Sequence, residues 1–352
     1  MNTKLERVNY QLDKSVTLIA PFVGLEKGGV QTWAYYIDKA LFLKNINVKS
    51  FSLRGLTISS LFSLFSRNFT SNIFILLSWK MFVSIFPAII FSRVFSKRII
   101  IVIHGDEILN QPFFYRLIIN ALIRMKNVRL IANSVDTSTR FYEAFSYKVD
   151  SVFNPFIDTN TPSFNANHLD DNHTPNRFFT ITRLVRRKNI LNVLKALDLL
   201  QKEGLNFQYY IAGDGPERKV LEAFVSSSNL IDCVFFLGKI SEEEKLAHLE
   251  QSSLFLLPAI YDAENGSIEG YGIVYIEANM YGTPVISGDV GGAREAVIDG
   301  VTGLKCNGTV LQIHRTIFKA LDTTFDKEKI VKFAKKHDYR KQNNFIKFVL
   351  RD

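Results

Sequence analysis

The chain reads as an α/β protein made of two Rossmann-like halves, and three features of its 352 residues point there. Short apolar runs alternate with amphipathic stretches along most of the length, the pattern of parallel strands joined by helices. Glycines and polar residues stand just past the ends of several apolar runs, where open α/β sheets bind ligands. A stretch poor in apolar residues, 158–176, separates two lengths of chain that can each bury a core.

The first half, 1–157, opens with a strand at Val16–Ala20, a loop bearing Gly24, Gly28 and Gly29, and a helix from about Val30 to Leu43. Its Gly28-Gly29 turn could let the backbone approach a phosphate or substrate, although a plain strand-to-helix turn reads the same way. Ile73 to Leu77 reads as a core strand, and Met81 to Phe95 as a helix on the sheet or at a lipid interface. Ile73 to Phe91 is also long enough to span a membrane, but Lys80 near its middle and Pro87 weigh against that. The strand Arg98–Ile103 delivers His104, Gly105, Asp106 and Glu107 at its carboxyl end. Val128–Ala132 delivers Asn133 and Ser134, and Ser151–Phe153 delivers Asn154 and Pro155.

Charge divides the halves. Residues 1–160 carry 19 basic and 10 acidic side chains and the remainder 24 of each, so the whole net charge of +9 lies in the first part. Residues 39–105 hold nine basic side chains and no acid, interleaved with Phe, Ile and Trp79. Such a segment suits an anionic membrane surface. Nucleic acid ranks lower, because no helix-turn-helix, zinc-finger or aromatic RNA-binding signature accompanies the charge. Met1 to Ser15 has no apolar core, so no secretory leader is expected. Cys233 and Cys306 lack metal-ligand spacing and read as reduced thiols.

The second half, 177–325, restarts with the strand Arg177–Ile181, and a basic helical tail, 326–352, could cross back onto the first half or expose a solvated face. Its central stretch runs from Glu269 through Gly270, Tyr271, Gly272 and Ile273 to Glu277, and is closed by Gly282 and Pro284. An acid, a Gly-x-Gly turn and an apolar helical run with a second acid read as a loop feeding a helix. Backbone N–H groups at that helix start favour a diphosphate. Glu277, inside the helix, suits ribose hydroxyls, and Glu269 faces whatever hangs from the other end of the diphosphate. Two solvated surface acids would have the same spacing.

Other segments decide between these readings: Thr182-Arg183-Leu184-Val185-Arg186-Arg187-Lys188-Asn189, Ala212-Gly213-Asp214-Gly215-Pro216-Glu217, Phe236-Leu237-Gly238, Gly291-Gly292-Ala293-Arg294-Glu295, and Asp299-Gly300-Val301-Thr302-Gly303-Leu304. In this order the set resembles the retaining glycosyltransferases of family four, over roughly residues 177–325. The resemblance implies the GT-B fold, two facing Rossmann-like domains with a cleft between them. It implies catalytic roles for Arg183 and Lys188 on the leaving diphosphate, Glu269 on sugar hydroxyls and His104 beside the donor sugar. The donor would further meet Gly29, Gly213, Gly215, Gly238, Gly270, Tyr271, Gly272, Ile273 and Glu277. Asp106, Glu107 and Asn133 could orient an acceptor.

With two cations to take the developing charge and no D-x-D motif in a metal-binding setting, no metal or cofactor is expected. The resemblance thus implies a retaining hexosyltransferase using a nucleotide sugar, peripheral at the cytoplasmic face of an anionic inner membrane. Its acceptor would be a lipid-linked saccharide in bacterial surface polysaccharide assembly, such as O-antigen. A nucleotide-sugar 2-epimerase of the same fold, a non-catalytic nucleotide-sugar-binding membrane scaffold and a nucleic-acid binder are the other readings.

Overall fold

The computed structural model describes residues 15–20, 28–52, 71–78, 97–105, 113–160 and 176–351. Gly24, the helix expected at 81–95, most of the span candidate, Asp106, Glu107 and most of the 158–176 stretch lie outside the described residues.

Two six-stranded sheets carry the fold. The first contains β1 (Ser15–Ala20), β2 (Asn47–Ser52), β3 (Ile73–Leu76), β4 (Arg98–Ile103), β5 (Val128–Ala132) and β6 (Ser151–Val152), in the order β2-β1-β3-β4-β5-β6. The second contains β7 (Arg177–Ile181), β8 (Gln208–Ala212), β9 (Val234–Gly238), β10 (Leu254–Leu257), β11 (Val285–Gly288) and β12 (Gly303–Cys306), in the order β12-β11-β10-β7-β8-β9. The described pairings are parallel.

Helices connect the strands. Among the described residues they are α1 (Gly29–Phe42), α2 (Phe113–Leu122), α3 (Val135–Phe145), α4 (Ile190–Lys202), α5 (Arg218–Ser226), α6 (Glu242–Gln251), α7 (Ile273–Met280), α8 (Ala293–Ala296), α9 (Val310–Asp322), α10 (Lys327–Ala334) and α11 (Asn343–Leu350). Strands covered on both faces need apolar residues throughout, which is why Ile99 to Ile103 and Leu254 to Leu257 are all buried rather than alternating. None of the described helices is long and apolar enough to cross a membrane.

The chain divides into two compact units, one of residues 1–102, 118–130 and 342–352, the other of residues 103–117 and 131–341. In the first, Arg98 at the start of β4 donates from Nη2 to the Phe348 carbonyl of α11 (2.7 Å) and lies over the Phe348 ring. In the second, Ile157 pairs with the segment after α10, donating its N–H to His337 O (2.8 Å) and accepting from Tyr339 N–H (3.0 Å). Arg340 braces that junction on Asp158 (2.8 Å) and Asp338 (2.7 Å).

The strand orders locate the place where a ligand would sit. In the second sheet the order reverses between β7 and β10, and the carboxyl ends of strands at such a reversal are where open α/β sheets bind ligands. The loop after β7 holds Arg183 to Asn189, and the segment after β10 holds Glu269 to Gly272.

Candidate active site

The loop after β7 is fixed by its neighbours. Thr182 N–H donates to Ala212 O (3.1 Å), Leu184 N–H to Asp214 O (3.0 Å) and Glu217 N–H to Leu184 O (3.1 Å). The loops after β7 and β8 therefore touch backbone to backbone, and glycine is required between them. A Cβ on Gly213 (φ +110°) would lie 1.9 Å from Thr182 O, and one on Gly215 2.2 Å from Leu184 O. Gly238 ends β9 and accepts the Gly213 N–H at 2.6 Å.

Arg186 to Lys188 form one 3-10 turn that stops at Asn189, held left-handed at φ 62°. The Asn189 side-chain amide donates to Pro258 O (3.0 Å) and Gly308 O (2.7 Å), tying the turn to the chain after β10 and β12. The three consecutive cations consequently divide, one outward and two inward. Arg186 is exposed and pairs with the exposed Glu264. Arg187 and Lys188 turn inward, and both donate to the same oxygen, Oε2 of Glu269, Arg187 at 2.8 Å.

Glu269 is buried, which by itself would raise its pKa. Lys188 and Arg187 outweigh that penalty and hold the carboxyl at about 2, against an ordinary 4.5. It is an anion at neutral pH, and its second oxygen makes no hydrogen bond to a described residue. Arg183 is exposed and makes no side-chain hydrogen bond or ion pair with a described residue.

Past Glu269 the chain narrows to glycines. A Cβ on Gly270 would meet Asn133 Nδ2 at 2.8 Å, and one on Gly292 would meet Gly270 O at 1.9 Å. Gly272, left-handed at φ 87°, opens α7 without a side-chain cap; Tyr275 N–H donates to Gly272 O (3.0 Å), which leaves the N–H groups of Ile273 and Val274 for a ligand. Ile273 begins the helix and is 9% exposed. The Tyr271 ring turns into the protein, where its hydroxyl meets His337 Nε2 at 2.6 Å. Glu277 lies one turn into α7 and accepts from Lys245 Nζ of α6 at 2.9 Å.

In the same compact unit His104, past β4, and Asn133, past β5, are both buried. Asn133 Oδ1 accepts from the Thr137 hydroxyl (2.8 Å), which orients its Nδ2 toward His104 Nδ1 (3.3 Å). With the amide in this orientation Nδ1 is the acceptor, and the neutral ring then carries its proton on Nε2. Ser134 caps the Thr137 N–H (3.1 Å), and Glu295 accepts from the N–H groups of Val135 (2.8 Å) and Asp136 (2.9 Å), a carboxylate at the positive end of α3. Gly29 is exposed as the first residue of α1.

The structure therefore brings Lys188 to Glu269 and Gly270 to Asn133, and seats Tyr271 away from solvent. Sequence reasoning gave no role to Lys245 or Asn189, and kept Arg187 only as an extra cation beside Arg183 and Lys188. Lys245 could have been noticed, because it shares a helical face with the apolar Leu249. Asn189 carries no such mark, and nothing in the sequence tells the inward Arg187 from the outward Arg186. Among the described residues no group of three His, Cys, Asp or Glu is placed to hold a metal ion.

Residues 164–337 match the family described as glycosyl transferases group 1. Among curated relatives, the GDP-mannose-dependent alpha-(1-6)-phosphatidylinositol monomannoside mannosyltransferase of Mycolicibacterium smegmatis is 36% identical over 129 residues, 37% of this chain and 34% of that protein. The amylovoran biosynthesis glycosyltransferase AmsK of Erwinia amylovora is 31% identical over 140 residues, 40% of this chain and 34% of that protein. The matched region spans about a third of the length of these curated relatives. Among solved structures, Anabaena Alr3699/HepE in complex with UDP and glucose superposes with a TM-score of 0.75 at 18% identity, over 96% of this chain and 99% of that one. At that identity the likeness is one of fold, the two-sheet α/β fold of the GT-B glycosyltransferases.

Proposed function

We propose that this protein is a glycosyltransferase that moves a hexosyl group from a nucleotide sugar to a saccharide acceptor, retaining configuration and using no metal ion. The observation that carries the reading is the buried carboxylate of Glu269, kept ionised by Lys188 and Arg187 beside the uncapped start of α7, at the strand-order reversal of the second sheet.

In this reading the start of α7, Arg183 and Lys188 receive the charge that grows on the departing nucleoside diphosphate. Glu269 offers its unpaired oxygen to sugar hydroxyls, and Arg187 keeps it ionised when Lys188 turns to phosphate. Glu277 accepts from the ribose, Gly213, Gly215 and Gly238 shape the nucleotide side, and His104 Nε2 donates toward the sugar. The bond from the anomeric carbon to the diphosphate oxygen breaks as the acceptor oxygen bonds on the same face. The acceptor's proton passes to the leaving phosphate oxygen, so protons balance without a further base.

The acceptor in this proposal is a lipid-linked saccharide, met at the cytoplasmic face of an anionic membrane during surface polysaccharide assembly. Nine basic residues and no acid within 39–105 support a negatively charged surface as partner. The named activities of two relatives, on a phosphatidylinositol monomannoside and in amylovoran biosynthesis, support a glycolipid or polysaccharide destination.

A panel of UDP- and GDP-hexoses tests the proposal. The correct donor, at about 100 times its Kd, should stabilise the protein by about 2.7 kcal/mol and be slowly hydrolysed to nucleoside diphosphate and free sugar. A panel with neither protection nor hydrolysis would remove the activity. Conversion of the nucleotide sugar to its epimer without any acceptor would assign the site to isomerisation instead.

A further inference from the structure

Helix α6 carries a lysine on the face it turns to the core. Lys245 precedes the buried His248 by three positions and the buried Leu249 by four, and is itself 9% exposed. An ammonium leaves water only when it is paired. Its Nζ donates to Glu277 Oε1 on α7 at 2.9 Å and lies 2.6 Å from Glu242 Oε1 on its own helix. Burial would lower the pKa of Lys245, but the two carboxylates hold it above the ordinary lysine range, so it stays a cation.

The two acids differ. The Glu242 side chain is 47% exposed, whereas that of Glu277 is 19% exposed. Glu277 is the one charged residue of α7, so nothing on its own helix could neutralise or orient it. Its Oε2 makes no hydrogen bond to a described residue and is not walled off from solvent. One oxygen is therefore tied and the other is available.

We propose that Lys245 is a positioning residue for the donor nucleotide: by holding Oε1 of Glu277, it fixes the carboxylate with Oε2 as the acceptor for a ribose hydroxyl. The proposal rests on the assignment of Glu277 to the ribose in the reading above. A glutamate has three rotatable bonds, and fixing them before the ligand arrives removes an ordering penalty from binding. The ammonium also offsets a negative charge that would otherwise repel the diphosphate.

Calorimetric titration of the full chain with UDP, GDP and their 2′-deoxy and 3′-deoxy forms tests this. In the unaltered protein, removing the hydroxyl that Glu277 accepts should weaken binding roughly tenfold or more. In Lys245→Gln and Lys245→Met that discrimination should shrink to less than about threefold, through weaker binding of the parent nucleotide. Lys245→Arg should restore it, and Glu242→Gln should leave it as it was. Two truncations keep the test decisive if one fails to fold, which circular dichroism checks. A lysine that only stabilises the fold would lower the melting temperature and leave the discrimination intact, and that result overturns the proposal. If the unaltered protein binds ribose and deoxyribose forms equally, the assignment of Glu277 itself falls, which is a separate outcome.

Discussion

Glu269 and Glu277 stand eight residues apart on one stretch of chain, and the fold treats them differently. Glu269, on the loop ahead of α7, meets two cations on a single oxygen, both from the turn after β7. Glu277, inside α7, meets one buried lysine from α6, a lysine it shares with the exposed Glu242. Glu269 therefore depends on the strand order, which sets β7 beside β10, while Glu277 depends on the packing of two helices. A cation near the first is also within reach of the diphosphate in the proposed reaction, whereas Lys245 is committed to two acids.

That difference is sharpest in turnover. Lys188→Ala should lower kcat by about a hundredfold to a thousandfold, the range for losing one preorganised charge donor, with a smaller loss of affinity for the free nucleoside diphosphate. Steady-state kinetics beside calorimetric titration would separate the two. Equal losses in both would make Lys188 a binding residue that does nothing particular in the transition state.

Stability should rank the two acids in the same order. Glu269→Gln leaves Lys188 and Arg187 facing a neutral amide in a buried site, and removing one partner of a buried ion pair typically costs about 3 kcal/mol or more. Glu277→Gln leaves Lys245 its second carboxylate, so a loss of only about 1 kcal/mol is expected, near that of an ordinary hydrogen bond. Thermal melting of both variants checks the ranking. A smaller loss for Glu269→Gln than for Glu277→Gln would mean that the cations around Glu269 find water or other partners once it is gone.

The same two glutamates mark how far the sequence could be read. Strands such as Ile99–Ile103 and Leu254–Leu257 were legible because a doubly covered parallel strand must be apolar throughout, and the glycines around α7 because a left-handed turn leaves little choice. The pairing of Lys188 with Glu269 was not, since it joins residues 81 positions apart and depends on β7 lying next to β10. The sequence and its family resemblance put Lys188 at the diphosphate and Glu269 at the sugar hydroxyls, with no contact between them. Gly213 and Gly215 show the same limit from the other side. Their spacing suggests a nucleotide loop, but the demand for glycine at each comes from the carbonyls of Thr182 and Leu184.

The last comparison lies within the turn itself, where Arg186 and Arg187 are adjacent but face opposite ways. The folded-state pKa of Glu269 is about 2, below its ordinary 4.5. Its ion pairs therefore stabilise the protein fully above about pH 4.5, and this contribution is lost as the pH falls toward 2. Arg187→Met removes one of the two cations holding that value down, so the folded pKa should rise and the midpoint of acid unfolding should move up by roughly half a pH unit. Arg186→Ala breaks an exposed pair with Glu264 that water and salt already screen, and should leave the acid midpoint where it is. Acid titrations followed by circular dichroism, one variant beside the other, would show the contrast. If both variants shift the midpoint alike, the turn acts through its total positive charge rather than through the side chains that reach Glu269.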